Sequence, residues 1–211
     1  MSKHITGLFI AVEGADGVGK STVLKLLLPK LMESGEYSGV LFFHWKPIRG
    51  EMFEGGIPET VPHDPRGSQP RNALFSMVYL VYHWLSFLFG YVKNVAPALR
   101  CGKLVIADRY TYDILLDPRR FRLNLPDWVL RVFVRTLPHP DAVLALVADP
   151  ATIRKRKPEL SVEEIAAYQA RLESAPIPHL HVVSADAAPA AVVDEALRAL
   201  GEGEKRLAAR G

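Results

Sequence analysis

The run Leu8-Phe-Ile-Ala-Val-Glu-Gly14-Ala-Asp-Gly-Val-Gly19-Lys20-Ser21-Thr22 decides the fold. Leu8 to Glu13 is a short apolar stretch, as a buried strand is, and Ser21 to Ser34 reads as a helix that stops at Gly35. Between them, Gly14 to Ser21 satisfies G-x-x-x-x-G-K-[ST] in the strand-loop-helix setting the pattern requires. Glycines let the backbone curl until successive N–H groups converge on phosphate oxygens, and the start of the helix adds positive potential. The candidate phosphate-binding residues are Gly14, Ala15, Asp16, Gly17, Val18, Gly19, Lys20, Ser21 and Thr22. Lys20 brings a point charge to the β- and γ-phosphates, and the Ser21 hydroxyl suits Mg²⁺. The site these residues imply takes a nucleoside triphosphate.

Outward from this loop, short apolar runs alternate with helical segments, which predicts parallel pairing. Strands are expected at Gly39 to His44, Lys103 to Asp108, Asp141 to Val147 and Leu180 to Ser184. Helices are expected at Leu125 to Leu137, from Ser161, where Glu164 completes a capping box, and at Pro189 to Leu200. Pro29 should kink or split the first helix. The fold class is therefore α/β: a P-loop NTPase three-layer αβα sandwich with a five-stranded parallel sheet and helices on both faces. Residues 1–211 read as a single domain, with a mobile loop over 46–70, a short lid over 150–173 and a frayed tail over 201–211.

Composition narrows the setting. The 211 residues are 49% apolar and 23% charged, which excludes a disordered chain. One cysteine, Cys101, leaves no internal disulfide, no zinc spacing occurs, and no secretory signal is visible, so a cytoplasmic setting is expected. The net charge of +3 suits a small anionic ligand and does not demand a nucleic acid. Ala73 to Val92 has no formal charge and is long enough to span a bilayer. A single crossing, however, would separate the phosphate loop from the acidic strand end that follows. The segment is instead expected to be a helix buried in the core or in a homodimer interface, with a stripe at Tyr82, Leu85 and Phe89, and a membrane-surface contact is the alternative.

Leu104-Val-Ile-Ala-Asp108 places a carboxylate at the C-terminal end of an apolar strand, the edge where open α/β sheets bind ligands. Asp108 can hold Mg²⁺ beside Ser21, and Arg109 adds a guanidinium at once. A GTPase switch is not supported. Asp64-Pro-Arg-Gly67 falls in the Pro-rich loop rather than at a strand end, and no Asn/Thr-Lys-x-Asp motif is present.

FIAVEGADGVGKST followed by VIADRY resembles the thymidylate kinases, and the similarity runs in order over most of the chain. The resemblance implies transfer of the γ-phosphoryl group of ATP to a nucleoside monophosphate, dTMP above all, with Mg²⁺. It implies that Asp16 holds the acceptor's sugar, that Arg49 of Pro47-Ile48-Arg49 and Arg109 clamp its phosphate, and that Phe75 of Leu74-Phe75-Ser76 stacks on its base. Lys20, Asp108, Arg109 and the lid residues Arg154 and Arg156 would be catalytic, and Ala185 and Asp186 would border the adenine. Tyr79 stands where the family carries a base-reading arginine, the helix beyond is longer and more apolar, and the lid is short. Those departures keep two alternatives open: a kinase of the same fold acting on a nucleoside or sugar-containing metabolite, and a non-catalytic nucleotide-binding protein.

Overall fold

The computed structural model describes residues 7–33, 35–47 and 69–208, with side chains of the last helix described as far as Gly201. Strands β1 (Leu8–Gly14), β2 (Val40–His44), β3 (Leu104–Asp108), β4 (Ala142–Val147) and β5 (Leu180–Ser184) form one parallel sheet in the order β2-β3-β1-β4-β5. β1 lies at the centre and is buried along its whole length. Continuous apolar runs suit strands whose two faces are both covered. The register pairs Val12 with both Asp108 and Leu144, and His44 with Asp108. The loop after β1, the carboxylate of β3 and the histidine of β2 thereby reach one C-terminal edge.

Around the sheet lie α1 (Lys20–Glu33), α2 (Ala73–Gly90), α3 (Ala96–Arg100), α4 (Asp113–Leu116), α5 (Asp127–Arg135), α6 (Pro150–Arg156), α7 (Val162–Ser174) and α8 (Pro189–Ala208). A π-helical stretch, Tyr91–Val95, joins α2 to α3. An aromatic core ties β1 to the β3 turn and to α2: Phe9 meets Tyr110 edge-on at 5.3 Å, and Phe87 meets Tyr110 at 5.5 Å. The Ser161 capping box opens α7, with both reciprocal bonds formed.

Two elements depart from the sequence reading. α1 runs unbroken through Pro29, whose missing N–H falls on an exposed part of the helix. α8 continues to Ala208 instead of ending at Leu200, because Glu, Lys, Leu and Ala in the polar tail are strong helix formers. The loop expected over 46–70 lies for the most part outside the described residues.

Candidate active site

Left-handed backbone at Gly17 (φ 91°) and Gly19 (φ 112°) turns the loop between β1 and α1, a conformation that side chains disfavour. A Cβ on Gly17 would also stand 2.9 Å from that of Lys157, so the end of α6 packs directly on the loop. Lys20 is 8% exposed and donates from Nζ to the carbonyls of Gly14 (2.9 Å) and Ala15 (3.1 Å). Burial, assisted by nearby Arg109, pulls its ammonium down to about 8.

At the end of β3, Arg109 adopts left-handed backbone (φ 68°), a strained conformation for a non-glycine residue. The surroundings hold it there. Its N–H donates to the Val12 carbonyl at 3.0 Å, and the next N–H, from Tyr110, donates to Glu13 Oε1 at 2.8 Å. The guanidinium makes a two-point contact with Asp113 at 2.9 Å and reaches Asp16 at 2.6 Å. Asp113 also accepts from the Tyr168 hydroxyl of α7 at 3.1 Å. Burial alone would raise the Asp16 carboxyl, but Arg109, Lys20 and Arg120 together hold it well below the usual carboxylate range. Glu13 behaves in the opposite way. Burial and the Asp113 charge push it well up, and its Oε2 has no hydrogen-bond partner.

Asp108 accepts from, or shares a proton with, His44 Nδ1 at 3.2 Å through Oδ2, while its Oδ1 is buried without a partner. Burial would raise this carboxyl, yet the His44 contact and the Lys20 charge bring it below its ordinary value. A cleft of about 650 Å³ unites these groups: Asp16 to Val23, His44, Asp108, Arg109, Arg156, Lys157, Ala185 and Ala187 all line it. Among the described residues, no cluster of histidine, cysteine, aspartate and glutamate forms a metal cage of its own. Ser21 and Asp108 share the cleft instead. An exposed hydroxyl and an unpartnered carboxylate oxygen are the hard oxygen donors Mg²⁺ takes when phosphates complete its shell.

No family model matches the chain. It is 34% identical over 108 residues to the thymidylate kinase of Neorickettsia sennetsu, across 51% of this chain and 48% of that protein. It is 34% identical over 146 residues to the probable thymidylate kinase of Thermococcus gammatolerans, across 66% of this chain and 65% of that protein. The fold matches the crystal structure of thymidylate kinase from Ehrlichia chaffeensis with a TM-score of 0.57, over 92% of this chain and 98% of that one, at 19% identity. The chain is similar in sequence to thymidylate kinases and shares their fold. In sequence it spans about half of the first of these relatives and just under two thirds of the second.

Within this thymidylate kinase-like fold the structure sorts the expected residues. Asp16 to Thr22 of the loop, Asp108, Arg109, Arg156 and Ala185 come together in the cleft, whereas Gly14 and Ala15 do not line it and instead accept from Lys20 through their carbonyls. Arg154 turns away: its Nη1 donates to the carbonyls of Pro158 (2.8 Å) and Leu160 (2.6 Å), bracing the turn between α6 and α7. Asp186 accepts from the Asp149 N–H at 2.9 Å and does not line the cleft. Phe75 and Tyr79 line a separate groove of about 490 Å³ along α2, with Arg71, Asn72, Val78 and Tyr82. Arg49 lies outside the described residues. Sequence reading missed Lys157, His44 and Arg120, whose Nη1 is 3.3 Å from Asp16. His44 was within reach of sequence reasoning, because it ends a strand at the ligand-binding edge. Nothing local marks Arg120.

Proposed function

We propose that this chain is an ATP-dependent nucleoside monophosphate kinase acting on dTMP. The observation that carries the reading is the contact between Arg109 and Asp16. It joins the triphosphate loop to the strand-end arginine, so donor and acceptor phosphates would meet between them. The loop amides and Lys20 would bind the ATP phosphates, with Thr22 at the start of α1 and Ala185 toward the adenine. Ser21 and Asp108 would hold Mg²⁺, which offsets charge on the transferred group. Arg49, Arg109 and Arg120 would clamp the acceptor phosphate, with Asp16 on its sugar and Phe75 and Tyr79 on its base. An acceptor phosphate oxygen attacks the γ-phosphorus in line as the bond to the β–γ bridging oxygen breaks, releasing ADP without a covalent enzyme intermediate. Arg156, with Lys157 beside it, would neutralise developing charge from the lid, and Arg154 would keep the lid's turn in shape.

α2 supports a homodimer. With α3 it is long and apolar enough to cross a membrane, but it is capped by Asn72 and packs Leu80, His83 and Phe87 inward. Its outward residues Val81, Leu85 and Phe89 are large apolar side chains exposed at one helical spacing, as are Trp128 and Val132 of α5, the kind of surface that a partner covers. A second copy would cover that face in a cytoplasmic, single-domain enzyme.

ADP release measured over a panel of nucleoside monophosphates, nucleosides and sugars tests the assignment. Turnover with dTMP and related monophosphates supports it. Turnover only with other acceptors, or none at all, refutes it.

A further inference from the structure

We infer that Tyr168, on the lid helix α7, is a positioning residue for phosphoryl transfer: its hydroxyl fixes Asp113, and Asp113 fixes the guanidinium of Arg109. The inference rests on the nucleoside monophosphate kinase reading, in which Arg109 meets the acceptor phosphate. Arg109 is buried and its donors are divided between two carboxylates. Nη1 donates to both Asp113 oxygens at 2.9 Å, and Nη2 donates to Asp16 Oδ1 at 2.6 Å. Asp16 is the partner that serves the substrate, which leaves Asp113 to hold the guanidinium throughout turnover. Helix α4, which carries Asp113, is a single turn without a side-chain cap, too short to keep that carboxylate in place by itself. The Tyr168 hydroxyl supplies the missing constraint, donating to Asp113 Oδ1 at 3.1 Å.

Helix α7 is itself tied to the sheet. Gln169, next to Tyr168, accepts from the Ala148 N–H at 2.8 Å just beyond β4, and Ile165 and Leu172 are buried on the same helix. Burial and the Asp113 charge push the Tyr168 hydroxyl well above its ordinary range, so it stays protonated and stays a donor. Through α6, the same lid segment brings Arg156 and Lys157 to the phosphate cleft. The lid therefore reaches the site twice, by its basic side chains in the cleft and by Tyr168 within the core. A guanidinium aids transfer only where charge develops, and a misplacement of about 1 Å can cost about a hundredfold in rate. Phenylalanine at position 168 would keep the packing and remove only the constraint.

The test measures ADP release from ATP and dTMP by the full chain, by Tyr168→Phe, and by Tyr168→Phe in an Asp113→Asn background. Tyr168→Phe should lower kcat by about tenfold while the KM for ATP stays within about twofold, because the donor site keeps every group that binds it. If the hydroxyl acts through Asp113, the same change made in Asp113→Asn should lower kcat by less than about twofold further. Should Asp113→Asn lose its cooperative melting transition, an Arg109→Lys background carries the comparison with the same expectation, since lysine cannot hold the planar fork that Asp113 grips. A Tyr168→Phe kcat within about twofold of the wild type overturns the inference, and a lowered Tm beside that unchanged kcat marks a purely structural tyrosine. A tenfold loss that recurs undiminished in the double variant overturns it as well, because the hydroxyl would then act by another route. Absence of ADP release from the unmodified chain with every nucleotide is a different failure, one that removes the kinase reading and this inference together.

Discussion

Nucleotide binding should draw in a proton at alkaline pH, and Lys20 is the group that accepts it. Burial and the neighbouring Arg109 charge bring Lys20 to about 8 even though the Gly14 and Ala15 carbonyls accept from it. A group titrating there is about nine-tenths neutral at pH 9 in the free chain and about one-tenth neutral at pH 7. Phosphate oxygens beside the amine favour its charged form and restore the ordinary range. Binding then takes up about 0.9 proton at pH 9 and about 0.1 at pH 7. The sign is fixed: proton uptake on binding means that affinity falls as pH rises, by about tenfold or 1.4 kcal/mol per unit above pH 8. Calorimetric titration with ATP in EDTA, in two buffers of different ionisation enthalpy, reads the uptake directly. Lys20→Arg keeps its charge throughout this range and should lack the uptake, which separates it from the nucleotide's own ionisation. Identical heats in both buffers at pH 9, or an affinity flat up to pH 9.5, would refute the reasoning.

His44→Ala should weaken Mn²⁺ binding in the presence of ADP by about tenfold or more, read by paramagnetic relaxation, since the imidazole orients the Asp108 carboxylate. Arg120→Ala should raise the acceptor KM by about tenfold while the KM for ATP stays within about twofold, as steady-state kinetics with each substrate varied would report. Gly7→Ala should destabilise the fold by about 2 kcal/mol, about 4–8 °C in Tm by calorimetry, because the new Cβ meets the Leu99 Cα at 2.7 Å and the Lys103 carbonyl, both rigid backbone. Leu85→Glu, on the exposed face of α2, should shift sedimentation from dimer to monomer without loss of helicity.

Donor-side geometry was legible because a contiguous motif carries its own backbone instructions: the glycines at 14, 17 and 19 specify the turn wherever the strand and helix around them form. The strands were legible for the same local reason, and their boundaries fall within a residue of the apolar runs. What was hidden depends on distant partners. The role of Arg154 turns on the carbonyls of Pro158 and Leu160, which exist as acceptors only once the lid has folded back. The Asp16 cluster needs Arg120, remote in sequence and delivered by an irregular segment between α4 and α5. The path of α8 beyond Leu200 reflects competing tendencies, with glycines at 201 and 203 arguing for a stop and the residues among them for continuation.

The wide turn at Tyr91–Val95 acts as a phase adjuster for everything that follows it. An extra residue in a helix displaces later side chains by about 100° around the axis. Before the stretch, Phe89 faces outward; within it Val92 is exposed and Val95 buried; after it, Leu99 and Ala98 offer the carbonyls that receive Gly7 and Lys103 at the feet of β1 and β3. Deleting one residue from this stretch would restore uniform winding and rotate those carbonyls off their partners. The two strands that carry the phosphate loop and Asp108 would then lose their common anchor, far from any atom that touches a nucleotide. Chains of this kind should therefore tolerate substitution within 91–95 far better than a change in its length.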